Sequence, residues 1–305
     1  MIDISLFGTG GMVPLPERFL TGMAARLNGK MLLVDCGEGT QITLKKLGWG
    51  YKFIDFICFT HFHADHIAGL PGLLLTIGNS GKTEPLTVIG PPGVEIVVKN
   101  LCVIAPELPF EINFKVIPVN RGTVRLDMGD FMLSCLPLAH RINCLGYSIE
   151  VPRAGKFDVA RAKAKSVPLK LWKNLQKGEI IEFDGIRYTP DMVLGPRRKG
   201  LKVSYITDTR PTNAIPDFIA GSDLFICEGL YGDRDKQEKA ASHSHMIFSE
   251  AALLAQKGNV KELWLTHFSP AMPDPGNYID NAKTVFENVK IGQDRMTKTI
   301  TFEET

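Results

Sequence analysis

The stretch Thr60-His61-Phe62-His63-Ala64-Asp65-His66 packs four metal-ligand side chains into six positions of a chain that holds only seven histidines. It directly follows the apolar run Ile54–Phe59, which reads as a strand, so the cluster lies where a strand gives way to a loop. His61 and His63 project to one side of an extended backbone; Asp65 and His66 come after the chain turns and can face the same point from another direction. The pattern repeats further along. His140 follows Leu136-Pro137-Leu138-Ala139, Asp208 follows Val203–Thr207, and His267 follows Leu263–Thr266. Each alone is an ordinary polar residue after a strand. Their repetition of one scheme, an apolar strand and then a ligand, predicts convergence on one sheet edge.

Short β-type runs separated by helical stretches and Gly/Pro punctuation support such a sheet. Ile2–Phe7, Lys30–Asp35, Phe53–Phe59 and Pro85–Ile89 read as strands, with helices at Thr40–Leu47, Ile67–Ile77 and near Val94–Ile104. Strands at Ile112–Val119, Thr123–Leu126, Phe131–Leu136 and Leu145–Val151 follow, and then helices at Asp158–Lys165 and Leu169–Gln176. Alternation resumes with Val203–Ile206, Leu224–Cys227, helix Met246–Lys257, Leu263–Thr266, a helix near Tyr278–Asn288 and a strand near Thr297–Phe302. Two strand-rich halves, each closing with helices, predict an α/β chain built as a four-layer αββα sandwich. We expect one domain over 1–305, with an arm inserted at 153–202.

That arm stands out by charge. The net charge of the chain is only +2, yet Arg153–Lys202 carries 13 Lys/Arg against 5 Asp/Glu, and the remainder is acidic. A basic segment on an acidic body suits a polyanionic partner. The six cysteines form no C-x-x-C pair and mostly sit in apolar runs, which predicts buried free thiols and a cytoplasmic protein. No apolar stretch is long enough to span a bilayer, and no membrane association is expected.

The run His61-x-His63-x-Asp65-His66 with later His140, Asp208 and His267 resembles the signature of the metallo-β-lactamase superfamily. The resemblance implies the αββα fold, one zinc on His61, His63 and His140, a second on Asp65, His66 and His267, and Asp208 bridging both. Imidazoles and carboxylates suit zinc, with Mn²⁺ or Fe²⁺ as alternatives, and a carboxylate can span two cations ~3.5–4 Å apart. Such a pair lowers the pKa of a shared water towards ~7. Asp35, in Leu32-Leu33-Val34-Asp35-Cys36-Gly37-Glu38-Gly39-Thr40, resembles the family's first motif and is expected to hydrogen-bond a ligand histidine and set its tautomer.

Further stretches resemble the ribonuclease Z family within it. They are Leu6-Phe7-Gly8-Thr9-Gly10-Gly11 with Pro14 to Arg18, Gly69-Leu70-Pro71-Gly72-Leu73, Ile89-Gly90-Pro91-Pro92-Gly93, His140-x-x-x-Cys144-Leu145-Gly146-Tyr147, Asp208-Thr209-Arg210-Pro211 and Leu265-Thr266-His267-Phe268-Ser269-Pro270. The resemblance implies an RNA endonuclease that matures tRNA 3′ ends, working as a homodimer. His245, oriented by Glu228, is expected to assist the leaving group, while Asp65 helps orient the attacking hydroxide. His243 reads as a solvated loop residue. Arg153–Lys163 and Arg197-Arg198-Lys199-Gly200 resemble the start and end of the arm that the family extends over tRNA. Lys156, Arg161, Lys163, Arg197, Arg198 and Lys199 are therefore candidate phosphate contacts on a mobile arm.

The chain departs from the family where substrate is held. Val167–Lys173 lacks the arm's Gly-Pro-rich stretch, Thr207 stands where Gly commonly precedes the bridging Asp, and Pro270 is followed by Ala271-Met272-Pro273 instead of Arg-Tyr. Glu228, between Cys227 and Gly229, matches the family's His-Glu-Ala-Thr stretch only in part. Two other readings stay open: a hydrolase of the same fold acting on a small phosphodiester or other ester, and a non-catalytic RNA-binding descendant.

Overall fold

The computed structural model describes residues 1–303. The chain begins β1 (Ile2–Gly8), β2 (Gly22–Leu27), β3 (Lys30–Val34), α1 (Thr40–Leu47), β4 (Ile54–Cys58), α2 (Ala64–Ile67), α3 (Leu70–Asn79), β5 (Leu86–Gly90), α4 (Val94–Leu101) and β6 (Ile112–Val116). It continues through β7 (Val124–Asp127), β8 (Met132–Leu138), β9 (Cys144–Arg153), α5 (Val159–Ala164), α6 (Trp172–Gln176), β10 (Ile181–Phe183), β11 (Ile186–Tyr188) and β12 (Arg198–Ile206). It ends with α7 (Ala214–Ile219), β13 (Leu224–Glu228), α8 (Gln237–Ser242), α9 (Phe248–Lys257), β14 (Leu263–Thr266), α10 (Asp280–Lys283), β15 (Val289–Ile291) and β16 (Thr297–Ile300). By compactness, Met1–Glu150 with Lys202–Thr301 forms a main body, and Val151–Leu201 forms a smaller unit joined by Phe302 and Glu303.

In the main body, one sheet runs β16-β1-β2-β3-β4-β5-β6 and the other β15-β14-β13-β12-β9-β8-β7. Strand alternation gives each sheet two apolar faces. Met31, Leu33, Ile57 and Val88 pack outward on Leu44 of α1, Leu73 and Leu74 of α3, and Val98 of α4. On the second sheet, Ile206, Phe225, Cys227 and Leu265 pack outward on α7, α9 and α10 through Phe218, Ala251, Ala252 and Ala282. The inner faces meet through Phe56 and Phe131, edge to face with centroids 5.9 Å apart. They are tied by Tyr147 Oη donating to the Phe59 carbonyl at 2.6 Å and by Thr21 bridging Tyr205 and Thr266. The architecture is the four-layer αββα sandwich.

Several elements differ from expectation for identifiable reasons. The helix expected over Ile67–Ile77 breaks into α2 and α3 at Gly69, whose N–H donates to the Cys36 carbonyl; a Cβ there would lie 2.2 Å from the Gly37 oxygen. β2, Gly-Met-Ala-Ala-Arg-Leu, is unforeseen because it lacks the β-branched residues that mark a strand, yet it is paired on both sides. The helix expected over Tyr278–Asn288 shrinks to α10, because Val285 and Phe286 turn into the second core and Asn288 instead caps the Lys261 carbonyl.

The smaller unit is folded around its own core, a finding at odds with a purely mobile arm. Ala162, Val167, Leu171, Leu175, Tyr188, Val193 and Leu194 are buried together, with Phe157 and Trp172 packed against them. Asp158 caps α5 by accepting the Arg161 N–H at 2.8 Å, and the β10–β11 hairpin lays Phe183 under the Lys170 ammonium at 3.5 Å.

The cysteines are free thiols, with Cys36, Cys58, Cys135, Cys144 and Cys227 buried and Cys102 half-buried. Burial pushes the Cys36 thiol far above its ordinary value and Cys135 up to about 12, which suppresses their thiolates. A maleimide reagent at pH 8 is therefore expected to label native protein at Cys102 and to reach the other five only after unfolding. Rapid labelling of several sites in the native state, counted by mass spectrometry, would contradict this packing. Among the described residues no helix is long and apolar enough to cross a membrane.

Candidate metal centre

β3 runs parallel to β4, and β12, β13 and β14 run parallel to one another, which gathers their carboxyl ends at one edge of the sandwich. The register sets Ile206 beside Cys227 and Glu228 beside Thr266. Asp208, Glu228 and His267 are thereby brought together from strands far apart in sequence. Asp35, Asp208 and His267, each just past a strand end, adopt left-handed backbone conformations with φ of 63°, 54° and 58°. This conformation costs a non-glycine residue about 1–2 kcal/mol. Three such residues at one edge mark where the fold spends stability on aiming side chains.

Asp208 is the centre of the arrangement. Its Oδ1 lies 3.8 Å from His61 Nε2 and 4.0 Å from His140 Nε2, with His63 Nδ1 2.9 Å from His61 Nε2. Its Oδ2 lies 3.2 Å from His66 Nε2 and 3.3 Å from His267 Nε2, and both of those nitrogens are 3.6 Å from Asp65 Oδ2. The donor atoms thus fall into groups of cation-binding size, His61–His63–His140 with Asp208 and Asp65–His66–His267 with Asp208 Oδ2 beside it, and Asp208 and His267 also group with His245. His66 Nε2 and both ring nitrogens of His267 are buried without a hydrogen bond. A buried polar atom left so is costly, and a cation at each group would satisfy the inward-facing nitrogens. The donor set therefore fits divalent cations.

The electrostatics agree. Burial drives His61 down to about 2 and also lowers His63 and His140, so this group offers neutral imidazoles. Burial opposes ionisation of Asp208, yet His267, His66 and His61 hold its carboxyl well below the usual range. His66, buried against its charged form, is raised well above 6.5 by Asp208 and Asp35. Asp35 is itself pushed up by burial; its Oδ2 accepts from His66 Nδ1 at 2.7 Å. Asp65 accepts the Met12 N–H at 2.8 Å.

Beside the clusters, His245 sits between α8 and α9, ahead of the helix it was expected to open. Its Nδ1 is 2.9 Å from Glu228 Oε2 and 3.8 Å from Asp208 Oδ1, and Glu228 Oε1 accepts the Thr209 N–H at 2.6 Å. Burial lowers the His245 pKa, but Glu228 and then Asp208 outweigh it and raise it to about 9. Sequence reasoning missed Arg210, whose guanidinium grips Glu250 and donates to the His245 carbonyl. It also missed Thr60, completely buried among Asp35, His61 and His66. Gly11 has a steric reason: a Cβ there would lie 2.6 Å from the His267 ring. His243 is exposed and bonds to Ser242 and to the Lys239 carbonyl.

The candidate phosphate contacts differ among themselves. Arg161 pairs with Asp158 and donates to the Asp191 carbonyl, and Arg198 donates to the Ala154 carbonyl at 2.9 Å, so both help to hold the smaller unit together. Lys163 and Arg197 are exposed and make no ion pair among the described residues. Lys156 and Lys199 are exposed as well.

Residues 2–97 match a family model described as anti-Pycsar protein Apyc1. Over its whole length the chain is similar to proteins named ribonuclease Z. That of Clostridium acetobutylicum is 52% identical over 307 residues, covering 99% of each chain, and that of Clostridium kluyveri is 53% identical over 304 residues, covering 100% of each. Among solved structures, the short form of human tRNase Z matches with a TM-score of 0.72 at 24% identity, covering 98% of this chain and 100% of that one. The metallo-β-lactamase fold protein YhfI from Bacillus subtilis matches with a TM-score of 0.69 at 21% identity, covering 98% and 100%. These two share the fold, the four-layer metallo-β-lactamase sandwich.

Proposed function

The chain belongs to the ribonuclease Z family and is a metal-dependent hydrolase of that kind, and we propose that it matures the 3′ ends of tRNA precursors with two zinc ions. The observation that carries the two-ion reading is Asp208, whose two oxygens face separate clusters of imidazoles. His61, His63 and His140 hold one ion in this reading and Asp65, His66 and His267 the other, with Asp208 shared. When bound, such a pair polarises the phosphate and lowers the pKa of a shared water towards ~7. The residues do the rest. Asp65, anchored by the Met12 N–H, orients the attacking oxygen. Asp35 holds the His66 ring through Nδ1, which leaves Nε2 turned inward. His245, with Nδ1 held by Glu228, keeps Nε2 available to give a proton to the departing ribose oxygen.

Full-length kinship at about half identity supports RNA as substrate. The decisive comparison incubates zinc-loaded protein with a 3′-extended tRNA precursor and with a small chromogenic phosphodiester. Cleavage at the tRNA 3′ end, leaving a 3′-hydroxyl, is expected; turnover of the small ester alone would overturn the ribonuclease assignment. We take the active form to be a cytoplasmic homodimer, with light scattering as the check on mass.

The basic unit supplies the grip. Neutralising about four phosphates gives a log–log salt slope near −3 for precursor binding. Lys163→Ala with Arg197→Ala is expected to shallow that slope by about one to two and leave cleavage of the small ester unchanged. An unaltered slope, measured by filter binding between low and moderate salt, would remove these two residues from the interface.

A further inference from the structure

Thr60 carries a hydrogen-bond pattern that a single hydroxyl can satisfy in only one way. Its Oγ1 lies 2.9 Å from Asp35 Oδ2, 3.0 Å from Asp35 Oδ1, 3.0 Å from His61 Nδ1 and 3.5 Å from His66 Nδ1, whose proton goes to the nearer Asp35 Oδ2 at 2.7 Å, and its N–H donates to Asp35 Oδ1 at 2.8 Å. A hydroxyl has one proton and two lone pairs, and an ionised carboxylate only accepts. Were the proton turned to His61, two oxygens would face each other at hydrogen-bond distance with nothing between them. The proton therefore goes to Asp35, and Oγ1 must accept from His61 Nδ1–H. That leaves His61 Nε2 without a proton, facing His63 and Asp208. Asp35 Oδ2 meanwhile accepts from His66 Nδ1 at 2.7 Å, which leaves His66 Nε2 facing the other cluster.

We propose that Thr60 is a positioning residue whose hydroxyl relays the Asp35 carboxylate to His61, so that one buried carboxylate sets the ligand tautomer in both cation groups. Without the relay, His61 is free to carry its proton on Nε2 and donate it to His63 Nδ1, 2.9 Å away, which removes a ligand from that group alone. The other neighbour of Nδ1, Cys144 Sγ at 4.0 Å, is a weak acceptor and no substitute.

The proposal rests on the two-ion reading, and its test separates the two. In ¹⁵N imidazole spectra of the zinc-loaded wild type, His61 is expected to carry its proton on Nδ1 and the metal on Nε2. In chelator competition, Thr60→Val should release one of its two ions with about 10–100-fold weaker affinity and keep the other near wild type. Thr60→Ser, which restores the hydroxyl, should recover the lost affinity. A wild type that binds fewer than two ions would sink the two-ion reading and the relay with it. Two tightly bound ions in Thr60→Val, or Thr60→Ser as weak as Thr60→Val, would overturn the relay alone. If Thr60→Val does not fold, wild-type His61 metallated through Nδ1 overturns it instead.

Discussion

Asp208→Asn is expected to reduce bound metal from two ions per chain to one or none and to lower turnover by more than about 10³-fold. Asp208 faces both imidazole groups, with Oδ1 turned to His61 and His140 and Oδ2 to His66 and His267. Its loss removes a ligand from each group and the negative charge that balances two dications in a buried place. Asparagine is the informative replacement because residue 208 has φ of 54°, a conformation Asn tolerates and Ala does not. A fall in activity is then chargeable to the lost anion and not to backbone strain. Metal content by plasma spectrometry, read beside circular dichroism, checks both points. A variant that keeps two ions and turns over within tenfold of wild type would mean that Asp208 does not bridge.

How far this edge could be read from the chain depends on what kind of signal each residue leaves. His61, His63, Asp65 and His66 form a dense local cluster, and His140, Asp208 and His267 each follow an apolar run, so strand periodicity alone points them at one edge. The register that seats Glu228 beside Thr266 is a consequence of parallel pairing and carries no such mark. Thr60 was passed over because a threonine at a strand end is unremarkable until the Asp35 carboxylate, distant in sequence, is seen to lie against it. The glycines show a similar gap. Gly37 and Gly69 are demanded by backbone approaches of 2.2 Å to a hypothetical Cβ, from the Asp65 and Gly37 oxygens, and such closeness is a property of the assembled fold. Charge composition marked the arm, whereas its core was hidden, since Leu171, Leu175, Tyr188 and Val193 are scattered among exposed lysines.

His245→Ala should leave metal content intact while turnover on precursor tRNA falls by about 10²–10⁴-fold, the usual worth of a positioned general acid. The separation follows from geometry. His245 Nδ1 is held by Glu228 at 2.9 Å, and although His245 can group with Asp208 and His267, the His61–His63–His140–Asp208 and Asp65–His66–His267 groups do not draw on it. Glu228 decides whether the ring can hold a proton. Burial alone would lower the His245 pKa; with Glu228 beside it the value is raised to about 9. In metal-free protein, a ¹H–¹⁵N titration is thus expected to show His245 charged through neutral pH and losing its proton near pH 9. Because this folded value lies above the ordinary ~6.5, the pair's contribution to stability is fully present below that pH and is lost as pH rises through about 9. Glu228→Gln keeps an acceptor for the Thr209 N–H but removes the charge, so with only Asp208 left to oppose burial the midpoint should fall from about 9. The same variant should lose turnover and retain its metal. Should His245→Ala cleave precursor at the wild-type rate, the proton for the leaving oxygen comes from elsewhere, and the Glu228–His245 pair serves only to pack α9 against β13.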